Sequence, residues 1–165
     1  MLTWTDTIPY DFTDPLVSHV FTARPLFFDI ETTGFSRSGS TVYLIGCAAR
    51  SEDSLLIRQF FAETPGEEAE VITAFLTLAK QYGTLLTFNG STFDIPYLQA
   101  RCKFLHIEES LSLHPYTDLY REAAKLRHVL RLPDLKQKSI EIFLGIDRAD
   151  LFSGGELIRV YRDYV

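Results

Sequence analysis

The sequence predicts a mixed α/β fold, in which one sheet of antiparallel and parallel strands carries helices on its faces. Three short apolar runs rich in β-branched and aromatic residues follow one another between residues 25 and 62, with short polar connectors between them. A segment of helical spacing, a fourth apolar run and further helical segments occupy the rest of the chain. The length of 165 residues suits one domain with a sizeable core.

The predicted strands come first. They are PLFFDI (25–30), TVYLIGCAA (41–49) and LLIRQFFA (55–62). Because their connectors are short and hold Gly, Ser and charged residues, neighbouring strands are expected to pair antiparallel as a meander. Residues 1–24 mix Thr, Asp and Pro with isolated aromatics. We expect them to form an N-terminal arm that packs onto the domain of residues 25–165 or frays from it.

The helices follow. Residues 65–83 are expected to be helical, because apolar residues recur at helical spacing, acids occupy the first turn and Gly83 closes the segment. TLLTFNG (84–90) predicts a fourth strand, and STFDIPYLQARCKFL (91–105) predicts the start of a helix, because Pro96 fits only a first helical turn. Three later segments are mainly helical in pattern: DLYREAAKLRHVL (118–130), DLKQKSIEIFLG (134–145) and GGELIRVYRDYV (154–165).

Composition and charge exclude several classes of protein. Apolar residues make up 46% and charged residues 23%, which is globular rather than disordered or collagen-like. No apolar run approaches the roughly 20 residues that span a bilayer, and the N-terminus lacks the pattern of a signal peptide, so we expect a cytoplasmic protein without a membrane partner. The net charge of −6 repels polyanions. A nucleic-acid partner would therefore need local basic patches or metal ions.

Two carboxylates, Asp29 and Glu31, lie at the end of the first strand of the meander. Residues two apart in a strand project from the same face, so the two acids are expected to lie side by side. Their repulsion raises the pKa of one of them unless a cation neutralises both. Oxygen ligands without His or Cys in the adjoining sequence suit Mg²⁺ or Mn²⁺ rather than Zn²⁺. The alternative is that Asp-x-Glu before Thr-Thr-Gly only ends a strand and begins a turn.

A second motif, FNGSTFDIPYL, places Asn89, Phe93 and Asp94 at a strand-to-helix junction. Ligands commonly bind at such junctions in α/β sheets. Asp94 is expected near the helix N-terminus, where the helix dipole stabilises the ionised carboxylate and keeps it available as a metal ligand. The alternative is an ordinary helix cap, with Phe93 in the core.

The two motifs together resemble a known family. FFDIETTG, followed later in the chain by FNGSTFDIPYLQAR, resembles the first two motifs of the DEDD (DnaQ-like) superfamily of 3′-5′ exonucleases. The pattern is similar to that of YprB-type predicted exonucleases, which are related to the proofreading domains of family B DNA polymerases. VYLIGCA, EEAEVITAFL, YTDLY and KSIEIFLGIDRADLFSG support the resemblance, which covers residues 25–165. It implies a ribonuclease-H-like mixed sheet, with a three-strand antiparallel meander plus parallel strands, flanked by helices.

The resemblance also implies an activity. Asp29, Glu31 and Asp94 would be the catalytic residues and would ligate one or two divalent ions, Mg²⁺ or Mn²⁺. Such ions bind a terminal phosphodiester and activate water. The implied substrate is nucleic acid, with a single-stranded DNA 3′ end expected.

Contacts to the nucleic acid are expected around the acids. The resemblance implies that Thr32 and Thr33 expose backbone groups to the terminal nucleotide, and Asn89 and Phe93 belong to the same expected surface. Phe35 or Phe93 would stack a base, the alternative being that each is a core residue.

A basic stretch is a further candidate surface. Residues 121–138 hold six basic and two acidic side chains. Arg121, Lys125 and His128 share one face of the predicted helix, which would follow a phosphate backbone toward the acids. A solvated helix face is the equal alternative.

The resemblance fails in one place. The superfamily has a fourth carboxylate on a late helix, four residues after a Tyr or five after a His. Tyr161 would need an acid at position 165, where the chain has Val165. We expect either a chain shortened at its C-terminus and lacking the last helix, or a site with another group, for which Asp118 is the candidate metal ligand. The alternative for Asp118 is the start of the following helix.

Two functions stay open on these grounds. The first is a metal-dependent 3′-5′ exonuclease. The second is a catalytically incomplete module that binds nucleic-acid ends or a protein partner on the same scaffold, because an incomplete ligand set weakens metal binding and leaves the water without its orienting side chain. The sequence identifies no protein partner.

Overall fold

A computed structural model describes residues 1–109, 111, 114–146 and 152–165. Within these ranges a six-stranded sheet has the order β1-β4-β3-β2-β5-β6. The strands are β1 (Leu2–Pro9), β2 (Pro25–Thr32), β3 (Val42–Ser51), β4 (Ser54–Phe61), β5 (Thr84–Thr87) and β6 (Tyr116–Asp118). The helices are α1 (Pro15–Thr22), α2 (Glu68–Ala79), α3 (Asp94–Phe104), α4 (Leu119–Lys125), α5 (Arg127–Leu130), α6 (Gln137–Phe143) and α7 (Gly154–Tyr164).

The pairing of the strands is mixed. β2, β3 and β4 form the expected antiparallel meander, in which Asp29 lies opposite Gly46. β2 pairs in parallel with β5, and β5 pairs in parallel with β6. Parallel neighbours need a crossover connection. The helices α2 and α3 supply these crossovers, so the carboxyl ends of β2, β5 and β6 lie at one edge of the sheet.

The first 24 residues contain more regular structure than the sequence indicated. β1 pairs antiparallel with β4 along its full length, from Leu2 opposite Phe61 to Pro9 opposite Ser54. Asp14 caps α1, because its carboxylate accepts hydrogen bonds from the backbone N–H groups two and three residues later. Every residue of β1 is exposed. The strand therefore lacks the buried face that makes an apolar alternation easy to recognise.

The later helices are shorter than predicted. The segment 118–130 is not one helix, because α4 ends at Lys125 and α5 begins at Arg127. At the break, the Leu126 N–H donates to the Ala123 carbonyl three residues back, which is 3₁₀ rather than α geometry. The predictions for 65–83, 91–105, 134–145 and 154–165 are confirmed as the shorter α2, α3, α6 and α7. None of the helices in the described ranges combines the length and apolar content of a membrane span.

The core lies on one face of the sheet, beneath α2 and α3. Leu26, Phe28 and Ile30 of β2 are almost completely buried there, and the Phe28 ring contacts that of Phe75 of α2. Since side chains alternate along a strand, Asp29 points to the opposite, more open face.

A buried ion pair joins α2 and α3 to the loop between β2 and β3. Arg101 Nε and Nη2 donate to the two carboxylate oxygens of Glu68 at 2.7 and 2.5 Å. Glu68 also accepts from the Val42 N–H at 2.8 Å, and Arg101 Nη1 donates to the Arg37 carbonyl at 3.0 Å. Buried charges need such partners, because desolvation is costly. The sequence pattern did not predict this pair, which fixes the loop after β2.

Candidate active site

Two secondary-structure elements bring three acids together. Asp29 and Glu31 lie on the same face of β2. Asp94 is the first residue of α3, and its Oδ1 accepts a hydrogen bond from the Ile30 N–H at 3.1 Å. Because Ile30 separates the other two acids in the strand, this bond ties Asp94 to the part of β2 that carries them.

The charges of these acids perturb one another. Burial raises the pKa of Asp94 to about 7, and the charge of Asp29 and a hydrogen bond to it contribute in the same direction. The pKa of Glu31 is also raised, first by burial and then by Asp29. The helix dipole was expected to keep Asp94 ionised, but burial and Asp29 outweigh it. Near neutral pH the Asp29–Asp94 pair therefore retains a proton part of the time.

The donor chemistry of the three acids fits a hard divalent cation. Across residues 1–109, 111, 114–146 and 152–165, no group of three or more His, Cys, Asp or Glu side chains is arranged closely enough to hold an ion as the side chains stand. Carboxylates without a cation repel one another, and Asp29 and Asp94 relieve this repulsion with a proton. A cation takes the place of such a proton, and Mg²⁺ and Mn²⁺ prefer carboxylate oxygens.

Asp118 is occupied with backbone contacts. Its Oδ1 accepts from the Asn89 N–H at 2.8 Å and from the Tyr120 N–H at 3.0 Å. Its Oδ2 accepts from the Ser91 N–H at 3.0 Å and from the Ser91 hydroxyl at 2.5 Å. Burial alone would raise its pKa, but these donors outweigh burial and hold the pKa below its usual value. The arrangement accounts for Asp118 as the cap of α4 and the anchor of the turn after β5, while its role as a metal ligand stays a prediction.

Asn89 shapes the turn between β5 and α3. Its φ of 62° is in the left-handed region, which Asn tolerates better than most residues. Its Oδ1 accepts from the Thr92 hydroxyl at 2.8 Å. The next residue must be glycine, because a Cβ at Gly90 would lie 2.6 Å from the Thr87 side chain. The expected contact of Asn89 with nucleic acid stays a prediction.

The two threonines after Glu31 are engaged within the protein. Thr32 is buried, and its hydroxyl donates to the Gly34 carbonyl at 2.9 Å. The Thr33 N–H donates to the Thr41 carbonyl at 2.9 Å, and the Thr33 carbonyl accepts from Arg162 at 2.7 Å. Both backbone groups of Thr33 thus have partners in the protein. The contact of these backbone groups with a terminal nucleotide stays a prediction.

The two phenylalanines near the acids differ in exposure. The Phe93 ring packs against the core, with its centroid 5.2 Å from that of Tyr97. Phe35 is 87% exposed, and its ring centroid lies 6.2 Å from that of Phe93. The Tyr97 hydroxyl donates to the carbonyls of Gly34 and Ser36 at 2.9 and 3.2 Å. These bonds hold the loop on both sides of Phe35, so its exposed ring is in a defined place.

The basic stretch does not form the expected face. Arg121 and Lys125 are exposed on α4, but His128 lies on the separate helix α5. Lys125 Nζ donates to both carboxylate oxygens of Glu122 at 2.7 Å. The expectation of one continuous face is wrong because the helix breaks at Leu126. A contact of Arg121 and Lys125 with nucleic acid stays a prediction.

Comparison with known proteins agrees with this architecture. A sequence profile of the RNase_H superfamily matches residues 26–165. The chain belongs to the RNase_H superfamily. The resemblance predicted from the two acidic motifs is therefore confirmed, as is the mixed sheet flanked by helices.

One relative and two solved structures are similar to parts of the chain. The uncharacterized protein YprB of Bacillus subtilis (strain 168) is 34% identical over 92 residues, which cover 52% of this chain and 22% of YprB. The family B DNA polymerase from the hyperthermophilic archaeon Pyrobaculum calidifontis superposes with a TM-score of 0.67 at 18% identity, over 86% of this chain and 22% of the polymerase. E. coli exonuclease I in complex with a dT13 oligonucleotide superposes with a TM-score of 0.62 at 15% identity, over 86% of this chain and 40% of that protein. At these identities the two structures show the fold alone.

The helix α7 of this RNase_H superfamily chain packs a tyrosine against a tyrosine of β3. Tyr161 of α7 is buried and stacks on Tyr43, with ring centroids 4.2 Å apart and an interplanar angle of 12°. Burial raises the pKa of Tyr43 to about 12, and the charge of Glu31 contributes. Sequence reasoning missed Tyr43, whose only signal was its place at the start of VYLIG.

A groove begins beside Asp29 and follows the open face of the sheet. It has a volume of about 700 Å³ and lies between β2–β4 on one side and α4 and α6 on the other. Its lining includes Gly46, Gln59, Leu119 and Ile140. The groove leaves room for part of a substrate next to the carboxylates.

Proposed function

We propose that this chain is a metal-dependent 3′-5′ exonuclease domain that removes nucleotides from single-stranded DNA ends. Asp29, Glu31 and Asp94 hold one or two Mg²⁺ or Mn²⁺ ions. The observation that carries the proposal is the 3.1 Å hydrogen bond from the Ile30 N–H to Asp94, because it ties the start of α3 to the strand that bears the other two acids. In this proposal Asp118 caps α4, since its carboxylate accepts four hydrogen bonds, and its expected role as a metal ligand stays open to the test described below.

The residues of the chain hold the ions and orient the carboxylates that bind them. Divalent ions, when bound, lower the pKa of a water nucleophile and stabilise the leaving oxygen of the phosphodiester. The Ile30 N–H orients Asp94, and the strand holds Asp29 and Glu31 on one face. Asp29 and Asp94 must give up the proton they share before both act as ligands. At a metal concentration that does not saturate the site, activity should therefore rise with pH, because protons compete with the ions for these carboxylates.

Two observations support single-stranded DNA as the substrate. Phe35 presents an exposed ring that contacts Phe93, the residue before Asp94, and exposed aromatic rings stack on unpaired bases without regard to sequence. E. coli exonuclease I, which shares the fold, binds a dT13 oligonucleotide in its solved structure. The terminal nucleotide would thus be held by phosphate and stacking contacts, which carry little sequence information.

The activity is tested on a single-stranded oligonucleotide labelled at its 5′ end. With Mg²⁺ or Mn²⁺ we expect a ladder that shortens by single nucleotides from the 3′ end, and no cleavage in EDTA. Asp29→Asn and Asp94→Asn should abolish cleavage. Asp53→Asn is the matched control, because Asp53 is an exposed acid in the turn between β3 and β4. Unchanged cleavage in either site variant, with a folded protein by circular dichroism, would end the assignment.

A binding module is the second candidate. It is favoured because the described residues contain no group of three acids already set to hold an ion. Titration with Mn²⁺ separates the two functions. Binding that requires Asp29 and Asp94 together with cleavage supports the exonuclease, whereas binding without cleavage supports the module.

A further inference from the structure

A second groove lies between the loop after β2 and the helix α3. It has a volume of about 610 Å³ and is lined by Phe35, Arg37, Ser38, Ala100 and Phe104. We infer that this Phe35–Phe104 groove carries the nucleotides upstream of the cleaved one, so that a single strand of DNA runs from the acids over Phe35 to Phe104. The inference rests on the proposed function, and the groove would give the exonuclease a preference for longer strands.

Two exposed aromatic rings mark the two ends of the groove. Phe35 is 87% exposed and Phe104 is 58% exposed. Large apolar rings at the surface bind unpaired bases by stacking, because every base has an apolar face. A pair of rings in one groove therefore suits successive or nearby bases of a single strand.

Both rings are held in place by the core of the domain. The Arg101 guanidinium carbon lies 4.4 Å from the Phe104 ring centroid, and Arg101 is itself fixed by its buried ion pair with Glu68. The Phe35 ring packs edge-on against Phe93. A stacking surface that is already ordered loses little conformational entropy when a base binds.

The charge of the groove suits a phosphate backbone. Arg37 lines it, with Nη2 3.5 Å from the Thr92 carbonyl. Lys103 is exposed on α3 next to Phe104, and the described lining residues include no acid. In a protein of net charge −6, a polyanion binds best where the local charge is positive.

The groove is linked to the acids through Phe93, which precedes Asp94 in the chain and whose ring contacts that of Phe35 in the groove lining. The helix α3 begins at Asp94 and ends at Phe104. At about 1.5 Å per residue, the helix carries the groove about 15 Å away from the acids, a length that a few nucleotides of extended single strand cover. The path therefore leads away from Asp94 along α3 to Phe104.

The first test is the dependence of cleavage on substrate length. In the wild-type protein, kcat/KM for oligo(dT) should rise about tenfold between the dinucleotide and the pentanucleotide, which is within the range that one stacked base contributes, and then level off. Phe104→Ala should remove this gain, and Phe104→Trp should restore it. Phe143→Ala, a control at another exposed ring on α6, should keep the gain.

The second test is the salt dependence of binding, which does not require cleavage. In EDTA, fluorescence anisotropy of a labelled octathymidylate should show that Arg37→Ala lowers the slope of log Kd against log salt concentration by about one. Lys80→Ala, a control at the far end of α2 where Lys80 pairs with Glu109, should leave the slope unchanged.

The outcomes separate this inference from the proposed function. Cleavage without a length preference, or a preference unchanged by Phe104→Ala, overturns the upstream path and leaves the exonuclease intact. A wild-type protein that cleaves no oligonucleotide overturns the proposed function, while the anisotropy arm still decides the groove. If oligonucleotide does not bind, or binds equally well without Phe104 and Arg37, the groove is a surface for something other than single-stranded DNA.

Discussion

The Ile30 N–H donates a hydrogen bond to Asp94 Oδ1 at 3.1 Å, across 64 positions of sequence. This bond ties the first residue of α3 to the last part of β2. It brings a buried carboxylate to the strand on which Asp29 and Glu31 share one face. The cost is a raised pKa for Asp94, because the site gathers negative charge away from water.

Asp94→Asn should abolish cleavage and stabilise the metal-free protein at pH 8. The raised pKa means that the folded state binds more protons than the unfolded state between about 4 and about 7. The free energy of unfolding therefore falls as the pH rises through this range. Asn cannot ionise, but it still accepts the hydrogen bond from the Ile30 N–H. The fall in the free energy of unfolding should therefore be smaller in the variant by on the order of 1 kcal/mol or more, because one pKa unit corresponds to about 1.4 kcal/mol.

Urea unfolding in EDTA at pH 5 and pH 8 measures this effect. Between pH 5 and pH 8, the free energy of unfolding should fall by more in the wild-type protein than in the variant. Because Asp29 shares the proton, Asp29→Asn should show part of the same change. An Asp94→Asn protein with the wild-type dependence on pH would show that Asp94 is ionised in the folded state.

Addition of Mg²⁺ or Mn²⁺ should raise the melting temperature of the wild-type protein at pH 8. A ligand that binds only the folded state stabilises it by about 2.7 kcal/mol at a concentration one hundred times its Kd. The increase should be smaller at pH 6, where protons compete for Asp29 and Asp94. Differential scanning fluorimetry measures it, with Asp29→Asn as the variant that loses the response and Asp53→Asn as the control that keeps it. An equal response of all three proteins would place the ion elsewhere.

Asp118→Ala should destabilise the protein without removing the response to metal. The substitution leaves the N–H groups of Asn89, Ser91 and Tyr120 without their acceptor, at a cost of about 2–3 kcal/mol. The pKa of Asp118 is lowered, so its stabilisation is present above the usual pKa of an aspartate and is lost as the pH falls through the folded value. The difference in the free energy of unfolding between the variant and the wild-type protein, measured in urea, should therefore become smaller at acidic pH.

The same variant decides between the two interpretations of Asp118. If Mg²⁺ still raises the melting temperature of Asp118→Ala by the wild-type amount, the residue is a cap and an anchor. If the response disappears while the protein remains folded, Asp118 belongs to the ligand set after all.

Most of the fold was predictable because it depends on local patterns. The meander and the helices α2 and α3 follow from apolar runs, turn residues and the place of Pro96. β1 was missed because none of its residues is buried, although Leu2, Trp4 and Ile8 alternate with polar residues. β6 was missed because a strand of three residues has too little pattern to recognise.

The site was predictable only in part, because its key contacts join residues that are distant in the chain. The DxE spacing gave Asp29 and Glu31, but the bond of Asp94 to Ile30 exists only once α3 packs on β2. Phe35 was expected as core or as a stacking residue, and only the loop geometry shows that it is exposed. Glu68 was read simply as an acid in the first turn of a helix, so its pairing with an arginine of α3 was not foreseen.

Arg101→Met should be the most destabilising of the substitutions considered, because it leaves the Glu68 carboxylate buried without its cation. Breaking a buried pair from one side costs about 3–5 kcal/mol, whereas replacing both partners with apolar residues is often nearly neutral. The double variant Glu68→Leu with Arg101→Met should therefore recover much of the loss in urea unfolding. The single and the double variant should also bind longer oligonucleotides less tightly than the wild-type protein. Both lose the contact of Arg101 with the Phe104 ring and its hydrogen bond to the Arg37 carbonyl. A double variant no more stable than Arg101→Met would mean that the hydrogen bonds of this pair to Val42 and Arg37, rather than the buried charge, hold the loop in place.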